Sequence, residues 1–394
     1  MMTCTIRRSA VLPRLARSIA LLSGIVALVA ACGSKHHPPL ADDAPPPTGG
    51  GTGGLIGNDP GAMPAACNSL ADGGSCGCVD VPLFSDPPTM YFVLDRSGSM
   101  AEANKWTTVR LAVADVLRAI GPRANFGAAV FPQPSNVNQC ASGVEVMSVR
   151  RGDPPSMGMD GPVTTALLQA TAAPASGGTP TSATLTALMP KLAALKGNLF
   201  VVLATDGGPN CNQAATCTIA GCMPNIEGVV GCDATTNCCE APKGTPSNCL
   251  DDQATLAAVN KLKAAGIPTY VIGIPGSGPY AAVLDELAVA GGTAQTTGMY
   301  KYYRVDTTDQ AALLGALKSV AAKVTATCTF KLQPNVDPTL VNVFFDEVVV
   351  PQETTNGWTI TGGTITLQGT SCQKVLNGDV LDVRIIAGCP TVVK

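Results

Sequence analysis

Apolar runs and helically spaced apolar positions alternate along residues 89–325. The run Met90–Leu94 is apolar throughout, which is typical of a strand that is covered on both faces of a sheet. In the segment that follows, apolar residues recur at helical spacing until a Gly-Pro pair at 121–122; they are Val109, Val113, Val116, Leu117 and Ile120. The pattern predicts a helix that packs on this strand.

The same alternation continues to residue 325. Further strands are predicted at Asn125–Phe131, Leu199–Ala204, Thr269–Ile274 and Tyr300–Val305. Further helices are predicted at Thr181–Leu195, Asp252–Ala265, Ala281–Val289 and Gln310–Val324. Strands that alternate with helices predict an α/β fold, with a doubly wound, mostly parallel sheet and helices on both faces.

Beyond Cys328 the helical period vanishes and short β-rich runs take its place. These runs are Phe330–Leu332, Leu340–Phe345, Thr364–Leu367 and Val380–Ile386, and Pro, Gly and Asn separate them. Residues 326–394 are therefore predicted to form a small β-rich C-terminal module.

The first 31 residues have the pattern of a secretion signal. Four arginines precede the apolar run Ile19–Ala31, which is short for a membrane span. The run ends in Leu-Val-Ala-Ala-Cys, which resembles a bacterial lipobox and predicts a lipid on Cys32. The alternative is an ordinary signal peptide that is cut nearby and leaves Cys32 for a disulfide. Because Gly33 is not aspartate, the usual cue for inner-membrane retention is lacking, and an outer-membrane location is favoured.

Residues 32–64 are rich in Pro, Gly and small residues, including three prolines at 45–47 and three glycines at 49–51. Such a segment cannot bury enough apolar surface to fold by itself, so it is predicted to be a tether. A Cys-containing lead segment, 65–88, joins it to the α/β domain at 89–325.

Charge excludes one class of partner. The formal charge of the chain is −3, and removal of residues 1–31, which carry four arginines and no acid, takes it to −7. Because an acidic chain is repelled by a phosphate backbone, a role in binding nucleic acid is not expected.

Cysteine usage agrees with export. With Cys4 in the signal and Cys32 at the anchor set aside, fourteen of the sixteen cysteines remain, an even number. The disulfide candidates are Cys67, Cys76, Cys78, Cys140, Cys211, Cys217, Cys222, Cys232, Cys238, Cys239, Cys249, Cys328, Cys372 and Cys389. No C-x2-C pair occurs, and both histidines lie in the tether, so disulfides are favoured over a zinc site.

Oxygen-bearing side chains lie where the predicted strands end. Residues 95–99 (Asp-Arg-Ser-Gly-Ser) directly follow the first strand, and Asp206 follows the strand Leu199–Ala204. Thr179 lies in a Gly-Gly-Thr-Pro loop. In an open parallel sheet, ligands bind beyond the carboxyl ends of the strands. Carboxylates and hydroxyls are hard donors, which suit Mg²⁺ and related cations.

Together, these motifs resemble the metal-ion-dependent adhesion site of von Willebrand factor type A (VWA) domains and of integrin inserted domains. The likeness extends over about residues 89–325 and includes Lys263–Pro268 and Tyr270–Ile274, which resemble the family's penultimate helix and strand. All five ligand positions are filled. The resemblance implies direct hydroxyl ligands and carboxylates that bind directly or through water, from the set Asp95, Ser97, Ser99, Thr179 and Asp206.

The resemblance implies a protein that binds Mg²⁺, with Mn²⁺ or Ca²⁺ as alternatives, and the secretion signal and lipobox predict that it is lipid-anchored in the cell envelope. Two carboxylates and three neutral hydroxyls leave the coordination shell of such a cation unfilled, so a partner protein's Asp or Glu can supply a further oxygen. Three alternatives are a cation that only stabilises the loop, a scaffold for envelope assembly, and a metal-assisted hydrolase. Because no histidine lies in the folded region, Ser-His and Cys-His catalysis is excluded there, and no enzyme activity is expected.

A cysteine-rich insertion, residues 207–250, follows Asp206 and contains seven cysteines. Two interpretations stay open: a disulfide-stapled cap that selects the partner, or an insertion that only resists proteolysis. Seven is an odd number, so one cysteine needs a partner outside, and Cys140 is a candidate. Cysteines before and after the α/β domain are expected to pair and to clamp the C-terminal module onto it.

Overall fold

The structure is a computed structural model of the chain. It describes residues 79–80, 87–134, 138–153, 160–222, 229–233, 235–325, 327–332, 336–346, 348–377, 379–380, 383–388, 390–391 and 393. The expected signal peptide, the expected lipid anchor at Cys32 and the expected tether lie outside the described residues.

Thirteen strands and eight α-helices are formed in the described part of the chain. The strands are β1 Val79–Asp80, β2 Thr89–Asp95, β3 Asn125–Phe131, β4 Val144–Arg151, β5 Leu199–Thr205, β6 Thr269–Gly273, β7 Tyr303–Arg304, β8 Thr329–Lys331, β9 Val341–Phe345, β10 Val348–Val350, β11 Trp358–Thr361, β12 Thr364–Leu367 and β13 Val383–Ala387. The helices are α1 Lys105–Ile120, α2 Pro162–Ala170, α3 Thr181–Ala194, α4 Ile219–Cys222, α5 Asp252–Ala264, α6 Ala281–Ala290, α7 Gln310–Thr325 and α8 Gly369–Asn377.

A six-stranded sheet forms the centre of the α/β domain, in the order β4-β3-β2-β5-β6-β7. All neighbours in it are parallel except β3 and β4, which are antiparallel. The prediction of a doubly wound, mostly parallel sheet is confirmed. After β2 the chain adds β3 and β4 on one side of it and later adds β5, β6 and β7 on the other side. The strand order therefore reverses between β2 and β5, and open parallel sheets bind ligands at such a point.

Helices cover both faces of this sheet. Met90, Phe92 and Leu94 of β2 pack in the core beneath α1, α2 and α7, whereas Tyr91 and Val93 pack beneath α3, α5 and α6. All five side chains are fully buried. Burial of each contributes about 1.5–3 kcal/mol, so two apolar layers hold β2, and the loop that follows it, in a fixed place.

Three details of the α/β domain differ from the sequence prediction. The strand expected at 300–305 is only two residues long. The edge strand β4 and the helix α2 were not predicted. Along β4 only Met147 is buried, because one face and one edge of an outer strand are exposed to solvent. The sequence of such a strand has only a weak apolar pattern.

The C-terminal module contains two small antiparallel sheets, β1-β13-β9-β10 and β11-β12-β8. Trp358 and Ile365 are fully buried in its core. The prediction of a small β-rich module is confirmed, and the module also contains one helix that was not predicted, α8 at Gly369–Asn377. Ser371 and Val375 are its buried residues, and this single pair, four positions apart, is too short a pattern to reveal a helix.

The lead segment reaches the C-terminal module. Val79 of β1 pairs with Ala387 of β13, so the chain before the α/β domain completes a sheet of the module after it. Cys328 and Cys372 form a disulfide inside the module. Contrary to the expectation, these two cysteines therefore do not clamp the module onto the α/β domain. Positions 67, 76, 78 and 389, the remaining candidates, lie outside the described residues.

No helix in the described part of the chain has both the length and the apolar character needed to cross a membrane.

Candidate metal centre

Two neighbouring parallel strands bring the expected carboxylates to one edge of the sheet. Asp95 ends β2, and Asp206 directly follows β5. Leu94 pairs in register with Ala204, so the two strands end side by side. The loop that carries Thr179 lies at the same edge. The carbonyl oxygen of its Gly177 accepts a hydrogen bond from the backbone N–H of Gly98, at 2.7 Å.

Asp95 is fully buried, and both of its oxygens are held. The backbone N–H of Ser97 donates to Oδ1 at 2.8 Å, and the Thr205 hydroxyl donates to Oδ2 at 2.6 Å. Burial raises the pKa of Asp95 to about 7, and the nearby Asp206 carboxylate acts in the same direction. Two buried carboxylates therefore repel each other, and a bound cation would relieve that repulsion.

Asp206 is linked to the two serines by a chain of short oxygen contacts. The hydroxyl of Ser99 donates to Asp206 Oδ1 at 2.8 Å, and the hydroxyl oxygens of Ser97 and Ser99 are 3.2 Å apart. A Cβ atom on Gly207 would lie 4.0 Å from both the Ser99 and the Thr179 hydroxyl oxygens. The glycine therefore leaves free the space beside these hydroxyls. The five oxygen-bearing residues expected from the sequence thus lie together.

The donor set suits a divalent cation. Two carboxylates and three hydroxyls are hard oxygen donors, which Mg²⁺, Mn²⁺ and Ca²⁺ accept and soft metals do not favour. Asp95, Ser97 and Asp206 are buried, so these groups are already withdrawn from bulk water. Their hydrogen bonds fix their orientation before any ligand arrives.

A lysine also belongs to this site. Lys105, the first residue of α1, is buried, and its Nζ lies 2.7 Å from Asp206 Oδ2 and 3.2 Å from the carbonyl oxygen of Ser99. The sequence analysis missed this residue. A signal existed, because a lysine is unfavourable in the first turn of a helix, next to the positive end of the helix dipole.

Arg96 holds the first ligand loop in place. Its side chain is almost wholly buried and donates to the carbonyl oxygens of Pro132 at 3.0 Å and Pro174 at 3.1 Å. Its own carbonyl accepts from the backbone N–H of Ser176 at 2.7 Å. Because burial of a guanidinium is costly unless its donors are satisfied, these contacts tie together the loops that follow β2 and β3 and the loop that carries Thr179.

The cysteine-rich insertion begins with a direct contact to the site. The backbone N–H of Thr179 donates to Asn210 Oδ1 at 2.7 Å, and the backbone N–H of Asn210 donates to the Thr179 carbonyl at 2.9 Å. Asn210 is buried. This pair of hydrogen bonds couples the position of Thr179 to the first residues of the insertion. No local pattern distinguishes Asn210, since asparagine is common in loops.

A disulfide reinforces the same contact. Cys140, in the loop after β3, bonds to Cys211, so the expectation that one cysteine of the insertion has an outside partner is confirmed. A Cβ atom on Gly178 would lie 2.4 Å from the Cys211 sulfur. The disulfide therefore rests directly on the backbone next to Thr179.

Three further disulfides lie within the insertion. They are Cys217–Cys249, Cys222–Cys239 and Cys232–Cys238. The sulfur atoms of residues 217, 222 and 239 lie within 4.8 Å of one another, a spacing that thiolates around a metal can also show. Because each of these sulfurs is in a disulfide, the cluster has no thiolate to offer a metal.

No protein-family model and no curated protein matches the chain. Among solved structures, the pilus adhesin SpaC of Lactobacillus rhamnosus GG aligns with a TM-score of 0.46 and 17% identity, over 78% of this chain and 40% of the adhesin. The chain thus spans well under half of that adhesin's length.

Two other solved structures are similar over 60% of this chain. The vWF domain of the type V pili tip protein Mfa5 from Porphyromonas gingivalis has a TM-score of 0.40 and 12% identity, over 60% of this chain and 94% of that domain. Manganese-loaded Plasmodium vivax TRAP protein has a TM-score of 0.35 and 17% identity, over 60% of this chain and 74% of that protein. The fold assignment depends on the strand order of the sheet itself.

Proposed function

We propose that this chain is a VWA-type binding protein of the bacterial cell envelope, which holds a divalent cation at residues 95, 97, 99, 179 and 206. The observation that carries the proposal is the 2.8 Å hydrogen bond between Ser99 and Asp206, 107 positions apart. It belongs to a contiguous set of oxygen donors that separate loops bring to the edge of the sheet where such folds bind ligands.

The cation supplies a Lewis-acidic position to which a carboxylate of a protein partner binds. Ser97 and Thr205 hold the carboxylate of Asp95 and so orient one charged donor toward the site. Ser99 orients the other by its hydrogen bond to Asp206. The chain acts as an adhesion or docking module and not as an enzyme. Magnesium is the proposed ion, with Mn²⁺ or Ca²⁺ as alternatives, since all three accept hydroxyl and carboxylate oxygens.

Calorimetric titration of the purified chain with Mg²⁺ and Mn²⁺ tests the metal site. Wild type is expected to bind one ion with saturation, and Asp95→Ala is expected to lose that binding. Glu286→Ala, which removes an exposed acid on α6, serves as the matched control and is expected to bind as wild type does. Unchanged affinity in Asp95→Ala would show that the assigned ligand set is wrong.

A pull-down from the organism's envelope fraction tests the partner. Capture of a protein that is lost on chelation and with Asp95→Ala would support metal-bridged binding. Capture that survives both would point to a surface outside the metal centre. A foreign cell or matrix protein as bait separates adhesion from envelope assembly.

The lipid anchor is tested by mass spectrometry of the mature N-terminus. A diacylglycerol-modified Cys32 as the first residue is expected, and Cys32→Ser is expected to release the chain into the soluble fraction. An unmodified Cys32, or a mature chain that begins elsewhere, would contradict the anchor.

A further inference from the structure

Lys105 occupies a position that a lysine does not favour. Its side chain is only 9% exposed, and it starts α1, where the helix dipole is positive. Withdrawal of an ammonium group from water is costly unless an opposite charge is near. The 2.7 Å contact with Asp206 supplies that charge, because Glu102, its other acidic neighbour at 3.5 Å, is 75% exposed.

The ammonium group shares a carboxylate with the proposed metal site. Lys105 Nζ contacts Asp206 Oδ2, while Ser99 contacts Asp206 Oδ1. Nζ also lies 3.2 Å from the carbonyl oxygen of Ser99. A Cβ atom added to Gly276 would lie 3.2 Å from Nζ. An ion bound through Asp206 therefore has a fixed positive charge beside it.

The charge balance of the site depends on this lysine. Asp95 and Asp206 together carry two negative charges, which a divalent ion alone would cancel. With the lysine included, the ion, the two carboxylates and the ammonium group carry one net positive charge; Arg96, which interacts with Asp95, adds to it, and the exposed Glu102 carboxylate is largely screened by water. A positive charge in the site opposes the binding of a cation and favours the binding of an anion. Both effects are strongest where the site is buried.

We propose that Lys105 is a built-in cation that weakens metal binding at Asp206 and gives the occupied site the positive charge that selects an anionic ligand. This inference rests on the proposed function. The two effects have opposite signs. Removal of the charge therefore raises the affinity for the metal ion and lowers the affinity for the carboxylate ligand. A lysine that only stabilised the fold would move both affinities in the same direction.

The experiment uses the purified full chain with Lys105→Met, which keeps most of the side-chain volume and removes the charge. Lys105→Arg keeps the charge. Lys263→Met is the control, because this exposed lysine lies against Gly292, next to the amino end of β6 and thus at the opposite edge of the sheet. Mn²⁺ affinity is measured by calorimetry. Acetate affinity of the Mn²⁺-loaded protein is measured by water-proton relaxation, with neutral acetamide as the comparison ligand.

Lys105→Met is expected to bind Mn²⁺ about tenfold or more tightly and acetate about threefold or more weakly than wild type, since one unit charge is removed beside a divalent ion. Lys105→Arg and Lys263→Met are expected to stay within about twofold of wild type, because each leaves the charge at this site unchanged. Acetamide binding is expected not to depend on the lysine. Should Lys105→Met not fold, Lys105→Gln is the second neutral variant and carries the same expectations.

Two results overturn the proposal while leaving the metal site intact: both affinities weaken in the neutral variants, or neither changes. Absence of Mn²⁺ binding by wild type and by the neutral variants together would instead reject the proposed function, and this inference with it. Binding by the neutral variants alone would show that the lysine charge blocks the ion, and would overturn the second half of the proposal, since the wild-type site would then not be occupied.

Discussion

Replacement of Asp95 by asparagine separates the charge of this residue from its shape. Asparagine can still accept the hydrogen bond that the Ser97 backbone N–H donates at 2.8 Å. Its amide group then faces the Thr205 hydroxyl, which can turn to donate to the carbonyl oxygen of Gly207, 3.3 Å away. The variant therefore leaves each of these buried polar groups with a partner and removes one of two repelling charges.

The size of the effect follows from the pKa. Burial raises the pKa of Asp95 from 3.8 to about 7, and each unit corresponds to about 1.36 kcal/mol. The folded protein thus binds this proton more tightly than the unfolded chain does. The stability that this group contributes is present below pH 4 and is lost as the pH rises through 7, to a total of about 4 kcal/mol by pH 8.

Denaturant unfolding with the metal chelated tests this reasoning. At pH 8 Asp95→Asn is expected to be more stable than wild type by up to about 4 kcal/mol, and by less at pH 5, where part of the penalty is already relieved. The variant is also expected to lose its stabilisation by Mg²⁺. A metal-free variant that is less stable than wild type at pH 8 would refute the argument, because it would mean that the native site favours the charge.

Two further predictions concern neighbours of this residue. Asp206→Ala leaves the Lys105 ammonium buried without its main partner, so the metal-free protein is expected to lose about 3–5 kcal/mol in denaturant unfolding, whereas Glu286→Ala is expected to lose nothing measurable. The double variant Cys140→Ser/Cys211→Ser frees the backbone beside Thr179, so calorimetry is expected to show Mg²⁺ affinity weakened by about tenfold.

Each of these has an outcome that contradicts it. A stable Asp206→Ala protein would mean that the lysine finds another partner. The Cys232–Cys238 disulfide, which closes a short loop inside the insertion, serves as the control for the cysteine variant. Equal loss of metal affinity when either disulfide is removed would show a general loosening of the insertion and not a specific link to the ligand loop.

The strands and helices of the α/β domain were largely readable from the sequence. Buried parallel strands are continuous apolar runs, and Asn125–Phe131 begins and ends where the pattern predicts. Chain direction alone then fixes which end of each strand faces the site. For that reason the sequence also identified the residues that converge there, Asp95 and Asp206 among them.

Other features were decided only by the tertiary structure. The partner of Cys211 depends on which loop folds beside it, and cysteine spacing carries no such information. The burial of Lys105 depends on Asp206, 101 positions away, coming within 2.7 Å of its ammonium. The sequence by itself determined the order of elements and the donors at the strand ends, because these follow from local periodicity. The disulfide links and the charge balance of the site arise from long-range packing, which brings together groups that no local pattern relates.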